Sequence, residues 1–587
     1  MFKNCTYKVE IFFILSVFTA LLSLNNFLLN VCLGLILLRL FLGGKGFLIL
    51  FLPYLVITTI VSFSLVIIQE KDSNRVSIQY NTTKGILISE KDYKPGSVLI
   101  GSFDKGNDYL RSVISDKNIL YDFQIPLISH LLCYRQYISD KLYVDSAGSI
   151  KIIQALVTGD RTYINDSTKD KLIITGVIHL LAISGLHVGI VVLILYSILF
   201  FLPAKIRYII ISLFLFLFIP LTGFKITVVR ASIFAITLMM TYFFDLGINL
   251  RKFVLFLVAV FLLISPKFLT DVSFILSFAA VFGIIYLMQE YKNKYAGLIL
   301  VGIAATSITL PVTLFIFGTF NYLSVLNTII MLPFVYLAVF FGLISFVIPG
   351  IMIFPLTYVE NSVMWMVNSL YNLTYPAFIL YKIDLWVLIF SSLFILIIIF
   401  TRYRWCVVFI YFITILPVSM EEGIYVPAQV KSKYFVSINE KSDKDSTHKR
   451  EIFFMGDYND FKYKFLPFLA KYKLKTFDKG YINIFGGENL YLNIDMVSSD
   501  YDNICINYTP ARPLNHLSTM LGTDNSDNDC NIIFVIRSNT IAKYDVKGDN
   551  KYIIYKNNVK ATNIYEIKET GPLHIYKDTV NFLERGK

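Results

Sequence analysis

Histidine is scarce in this 587-residue chain: there are six, and no H-x-H occurs anywhere. A dense His/Asp cluster able to hold metals that activate water is therefore not evident. Cysteine is equally sparse. Cys5, Cys32, Cys133, Cys406, Cys505 and Cys530 show no metal-ligand spacing. Cys505 and Cys530 are a candidate pair only if their surroundings are oxidising. No G-x-x-x-x-G-K-[ST] is present, so no phosphate-cradling loop supplies energy from within the chain. Internal repeats and long low-complexity tracts are also missing. Charged residues make up only 16% of the chain, against 56% hydrophobic, and the mean hydropathy is +0.64.

That apolar surplus comes in long runs, such as Ile190–Leu202 and Leu385–Phe400. Runs near 20 residues match the hydrocarbon core of a bilayer. Membrane β-strands would be shorter and alternating, so the runs read as helices. The formal net charge is +12. Residues 70–150 hold 10 basic and 10 acidic side chains, and residues 421–587 hold 23 and 22. The positive excess thus lies among the apolar segments. It fits basic loops retained on the cytoplasmic side and also a basic path for a polyanion. The two are compatible.

The chain reads as a polytopic α-helical membrane protein of about ten or more spans. To this are added a small outward β domain, OB-like, and a C-terminal soluble domain that is mainly β or α/β. Residues 1–69 are N-terminal transmembrane helices: Lys3 and Lys8 precede an apolar run with no clean cleavage site, so a retained anchor is expected. A Gly43–Gly44 break separates close spans from one over about Phe47 to Ile68. Residues 70–125 carry short β-type runs, Ser77–Tyr80, Gly85–Ser89 and Ser97–Phe103, between turn residues Asn81 and Lys94-Pro95-Gly96. Residues 126–176 read as an amphipathic helical segment outside the bilayer, and 177–419 as the membrane core. Residues 420–587 are soluble and mostly strand-like. Placing Lys205/Arg207, Arg251/Lys252, Lys292/Lys294 and Arg402/Arg404 in the cytoplasm sends the last span, near Cys406–Met420, outward. Both soluble regions then lie on the outer face of a cytoplasmic (inner) membrane.

Ionisable groups at membrane depth are expensive and need a reason. The first cluster, His179 to Gly189, holds two histidines, Ser184 and a Gly185-x-x-x-Gly189 pair. On one helix the histidines lie about 80° apart, sharing a broad face. Either Gly185 breaks the helix at a hydrated cavity, or the glycines pack tightly while the histidines bond across helices. The second cluster is Thr222-Gly223-Phe224-Lys225 with Arg230-Ala231-Ser232. Lys225 reads as a snorkelling helix-end residue. Arg230 lies deeper and needs a partner, for which Asp271 is the candidate, with Ser273 and Ser277 one turn apart beside it. A structural Arg230–Asp271 pair and a substrate contact both fit. The third cluster, Leu310-Pro311 through Asn321, Asn327 and Pro333, suggests broken or kinked helices.

His179–Gly189, HLLAISGLHVG, resembles the signature of ComEC-type competence proteins. Ala155–Arg161, Arg230–Ser232, Ser265–Phe278 and Leu310–Pro333 resemble the family's further segments in the same order, over roughly residues 150–340. The resemblance implies a channel that carries single-stranded DNA across the cytoplasmic membrane in natural transformation, with an outward OB-like domain before it. His179, Ser184, Gly185, His187, Gly189, Lys225, Arg230, Asp271, Ser273, Ser277, Asn321 and Asn327 become candidates for the DNA path. Many family members end in a metallo-β-lactamase-like domain. Here that region has only His448, His516 and His574, far apart, so no nuclease activity, metal or cofactor is expected, and the tail reads as a degenerate remnant or an unrelated binding domain.

Single-stranded DNA is then the cargo. An outer-face DNA receptor delivers it, with Tyr80, Tyr93 and Phe103 as candidate stacking platforms. Cytosolic helicase or strand-binding proteins supply the pull, a separate nuclease removes the other strand, and the lipid bilayer is the solvent. The rival readings are a small-solute or ion transporter with His179 and His187 as a proton relay, a C-terminal phosphodiesterase, and an inactive paralogue of the channel.

Overall fold

The computed structural model describes residues 8–22, 33–37, 126–288 (except 162, 182, 246 and 248), 297–399, 404–415, 423–426, 433–439 and 449–497. It also describes strand backbone within 66–124 and 504–582. Four helices are long and apolar enough to cross a membrane: Ala204–Leu221, Ile226–Phe243, Gly297–Phe317 and Ser324–Ser345, with mean hydropathies of 2.0, 1.7, 2.2 and 2.3. At about 1.5 Å per residue, 18 to 22 residues reach about 27–33 Å. Only 22–33% of their residues are buried. The apolar remainder faces outward and is satisfied only by an apolar solvent.

Shorter apolar helices accompany them: Ile11–Leu21, Gly185–Ile198, Val272–Met288, Leu385–Ile398 and Trp405–Ile415. Counting by length among the described residues therefore gives four spans, where the sequence suggested about ten. Of the last expected span, near Cys406–Met420, the described part is a 3₁₀ segment over Arg404–Ile415, and residues 416–420 lie outside the described residues. Pro311 and Pro333 lie inside continuous helices. The break falls between those helices, at Gly318 (φ +63°) and the short strand Thr319–Asn321, because glycine tolerates the left-handed turn there.

The central core joins helices Lys151–Val157, Gly185–Ile198, Ala204–Leu221, Ile226–Phe243, Ser324–Ser345 and Pro349–Thr374 through Val157, Val191, Leu215, Val228, Val335 and Val363. Gly342 lets two of them meet: a Cβ there would lie 2.2 Å from Val157 Cγ2. A second apolar cluster packs Lys8–Leu22 against Leu250–Ile264 and Val272–Met288. Lys205 and Asp245 pair at 2.6 Å, so the turns near 203 and 245 lie at one end of the bundle.

The N-terminal sheet has six strands: β1 Val66–Asp72, β2 Arg75–Tyr80, β3 Thr83–Ile88, β4 Ser97–Gly101, β5 Ser112–Ser115 and β6 Ile119–Gln124. Their order is β5-β3-β2-β1-β4-β6. β1–β3 form an antiparallel meander, β5 adds parallel to β3, and β4 adds antiparallel to β1. β1 begins at Val66, so the sheet takes residues assigned above to the span ending at Ile68. Residues 126–176 hold three helices, Pro126–Asp145, Lys151–Val157 and Asp166–Ile174.

The C-terminal region forms two sheets. One is mixed and seven-stranded, in the order Asn493–Val497, Thr476–Phe485, Lys449–Asp457, Lys433–Asn439, Gly423–Val426, Leu573–Tyr576, Thr579–Phe582. The other has four parallel strands, Ile504–Asn507, Ile532–Val535, Lys551–Ile554 and Ile564–Glu566. Tyr93, Phe103, His448, His516 and Cys530 lie outside the described residues, as do Lys292, Lys294 and Arg402.

Candidate functional site

The signature segment is not one helix. Ile178–Leu181 forms a single helical turn, and a new helix starts at Gly185. The angle expected for a continuous helix therefore does not apply. His179 is exposed, its Nδ1 3.1 Å from Gly176 O, whereas His187 is 1% exposed. The restart is fixed by a capping box. Ser184 takes the N-cap position, and its backbone N–H donates to His187 Nδ1 at 3.2 Å. That donation leaves Nε2 as the protonated nitrogen of a neutral imidazole. Nε2 is buried and has no hydrogen-bond partner among the described residues.

The glycines do not serve tight helix packing here. Gly185 and Gly189 are exposed, a Cβ on Gly185 would be at an ordinary 3.7 Å from Ala231, and no described atom lies within 4 Å of one on Gly189. Leu193 and Tyr196 of the same helix are exposed as well.

Lys225 sits at the N-cap of Ile226–Phe243, half-buried, against Gly159 (φ +76°), where a Cβ would lie 2.6 Å from Lys225 Cε. One turn along, Arg230 is 3% exposed. Its Nη2 donates to Ser273 O at 2.9 Å and Ser273 Oγ at 2.8 Å, and its Nη1 lies 3.7 Å from Asp271 Oδ2. Asp271 also accepts from Ser273 N at 2.8 Å, so it caps the Val272–Met288 helix. One carboxylate thus starts a helix and offsets a buried cation. The guanidinium also faces the Phe274 ring at 5.6 Å. Its Nε and Nη1 are buried without hydrogen-bond partners among the described residues. Ser277, one turn further, is exposed and away from this contact.

Asn321 and Asn327 are different. Each is 1% exposed. Asn321 Nδ2 donates to Ile174 O (2.8 Å) and Thr374 O (3.0 Å), while its Oδ1 accepts from Leu323 N (2.8 Å). Asn327 Nδ2 donates to Thr175 O (2.8 Å) and Thr374 Oγ1 (3.1 Å). These side chains close three chain ends into one joint. They brace the fold, and the geometry gives them no exposed surface along a path.

Arg135 and Glu360 are buried charges that the sequence did not single out. Arg135, 1% exposed, donates from Nε to Thr158 O at 2.6 Å and lies against Gly223 (φ +69°), where a Cβ would come within 3.1 Å of its Cζ. Glu360, 3% exposed, accepts from the backbone N–H of Lys151 (3.2 Å), Ile152 (2.9 Å) and Ile153 (2.9 Å), capping that helix from a distant one. A signal existed for Glu360: it is the one charged residue between Lys294 and Lys382.

The buried cation, its capping carboxylate, the signature loop and the asparagine joint all fall within residues 156–405, which match the competence protein family. This region is similar to ComEC-type competence proteins. Over 195 residues the chain is 34% identical to ComE operon protein 3 of Bacillus subtilis (strain 168), a match covering 32% of this chain. The matched stretch spans 25% of that relative's length. No solved structure matches the chain.

Proposed function

We propose that the competence-type core carries one strand of DNA across the cytoplasmic membrane during natural transformation, as a channel rather than an enzyme. The observation that carries the reading is Arg230. An arginine in an apolar helix is costly and marks a pathway more often than not. Here it is held along one edge by Ser273 and beside Asp271, while Nε and Nη1 make no hydrogen bond. Because those atoms are buried, conduction on this reading requires Ile226–Phe243 and Val272–Met288 to part at that contact. The structure then corresponds to the closed passage, and a phosphate takes the place of Asp271 as the strand moves. Weak, distributed contacts of this kind let a polyanion leave as well as enter.

The remaining parts follow from this role. The shorter apolar helices complete the spans, bringing the total to about ten. The β1–β3 meander, with β5 beside β3 and β4 beside β1, is the arrangement from which a small Greek-key barrel closes. This supports an outward OB-like domain that receives DNA from an outer-face receptor. The two C-terminal sheets support a degenerate metallo-β-lactamase-like scaffold. Cytosolic helicase or strand-binding proteins supply the energy, and a separate nuclease removes the complementary strand. The test is a deletion strain given labelled DNA. Label should accumulate outside the cytoplasmic membrane while transformants disappear. A deletion strain that transforms normally, or one that loses ion-coupled solute flux instead, overturns the channel.

A further inference from the structure

We propose that Asp170 is a positioning residue for the passage: the C-terminal domain grips it and thereby sets the place of the His179–Gly189 loop. The inference rests on the channel reading and assigns a role to residues 423–497 within it. Asp170 is 1% exposed on the Asp166–Ile174 helix. Among the described residues, every hydrogen-bond partner of its carboxylate comes from the C-terminal domain. Tyr458 and Tyr491 donate their hydroxyls, the latter at 2.7 Å, and Lys462 Nζ lies 2.5 Å from Oδ1. Tyr458 belongs to the turn after strand Lys449–Asp457, and Tyr491 precedes strand Asn493–Val497. Burial first, and then Asp170, raises both phenols above their ordinary range, so both stay donors.

A buried carboxylate without partners is strongly disfavoured, so the core helix is complete only with the domain seated. The seat is wide. Lys475 Nζ donates to Tyr375 O (2.8 Å) and Phe378 O (2.9 Å), just past the C-terminus of Pro349–Thr374. Lys473 Nζ donates to Thr414 O (2.8 Å) at the end of the 3₁₀ segment. Lysine is favourable at such carbonyl-rich ends. Ile174, Phe378 and Leu380 share one apolar cluster with Tyr434, Phe465, Leu469 and Tyr491. Lys382 N donates to Ala470 O at 2.9 Å.

From Asp170 the restraint has a short way to travel. Four residues on, Ile174 O and Thr175 O are held by Asn321 and Asn327. Gly176 follows at φ +78°, so close to Ser324 that a Cβ would lie 2.5 Å from it. His179 is bonded back to Gly176, and Ser184 and His187 come next. The helix is pinned at Asp170 by the domain and at its C-terminus by the asparagines, leaving the loop little freedom.

The experiment uses the full chain with a protease site placed in residues 416–422. It compares wild type, Asp170→Lys, Lys462→Asp and the double exchange. Asp170→Asn is added as a variant of nearly native shape. Two readouts are taken: the fraction of C-terminal fragment retained on the solubilised core after cleavage, and transformation per unit of full-length protein. Wild type should retain the fragment. Each single charge reversal should release most of it and lower transformation at least tenfold, and the double exchange should restore both. Asp170→Asn should fall between. Release without loss of transformation overturns the positioning role. Retention in every variant, or no recovery in the double exchange, overturns the contact itself. Wild type that retains its fragment in a host needing no such protein for transformation breaks the channel reading and leaves the grip standing.

Discussion

Two polar groupings within the apolar body handle their hydrogen bonds in opposite ways. At the Asn321–Asn327 joint, donors and acceptors meet backbone groups of three different segments. At Arg230, a full charge leaves Nε and Nη1 without hydrogen bonds and relies on Ser273 and a loose ion pair. The first arrangement minimises the energy of one state. The second retains capacity for another partner, at a cost in stability. Expense in a membrane therefore does not by itself mark function. What distinguishes the groupings is whether the expense is fully offset.

The largest effect expected from breaking this comparison is at Arg230. Arg230→Ala removes charge-assisted bonds worth about 1.5–3 kcal/mol each. It should lower transformation by about 100-fold, on the scale of about 1.4 kcal/mol per tenfold, with protein abundance unchanged on immunoblots. If abundance falls in step with transformation, Arg230 is a brace like the asparagines. Asn321→Ala should do the reverse. It strips partners from Ile174 O, Thr374 O and Leu323 N, at about 1–3 kcal/mol per orphaned group. The thermal midpoint of the solubilised protein should drop by about 4 °C or more, and transformation only in proportion to surviving protein.

The glycines sharpen the contrast further. Gly176→Ala meets both a left-handed backbone and Ser324, and should lower the midpoint by about 2 °C or more. Gly189→Ala meets nothing described and should gain about 0.5 kcal/mol of helix stability. If its open face accompanies the strand, uptake of labelled DNA should nevertheless fall severalfold. Uptake that stays level assigns that face to lipid. Ser184→Ala removes the N-cap hydroxyl that lies 3.2 Å from His187 Nδ1, worth about 1 kcal/mol, and should shift the midpoint by about 2 °C.

Much of the membrane core was legible because desolvation leaves so few options there. Arg230 had to find a counter-charge, and Asp271, beside Ser273 at a helix start, was the group with suitable chemistry. A break near Gly185 was one of two readings that residue type left open, and what decides it is the pairing of Ser184 with His187 at the start of the second helix. Asp170 was not legible. It sits in a helix rich in Asp and Lys that reads as a solvated surface, and its partners are 288 to 321 residues away. Periodicity carries no information about such distant contacts. Helix boundaries were less legible for a related reason: apolar runs show where chain prefers lipid, and the turns inside them depend on side-chain bonds that hydropathy does not see.

The carboxylate of Glu360 has a consequence for how the chain is made. It closes the amides that open the Lys151–Val157 helix from 207 to 209 residues downstream. A ribosome delivers the early helix long before its cap, so those three N–H groups depend on water until the Pro349–Thr374 segment arrives. Nascent chains stalled upstream of Pro349 should therefore be prime targets for quality-control proteases, and assembly of the core should complete from its late helices back toward its early ones.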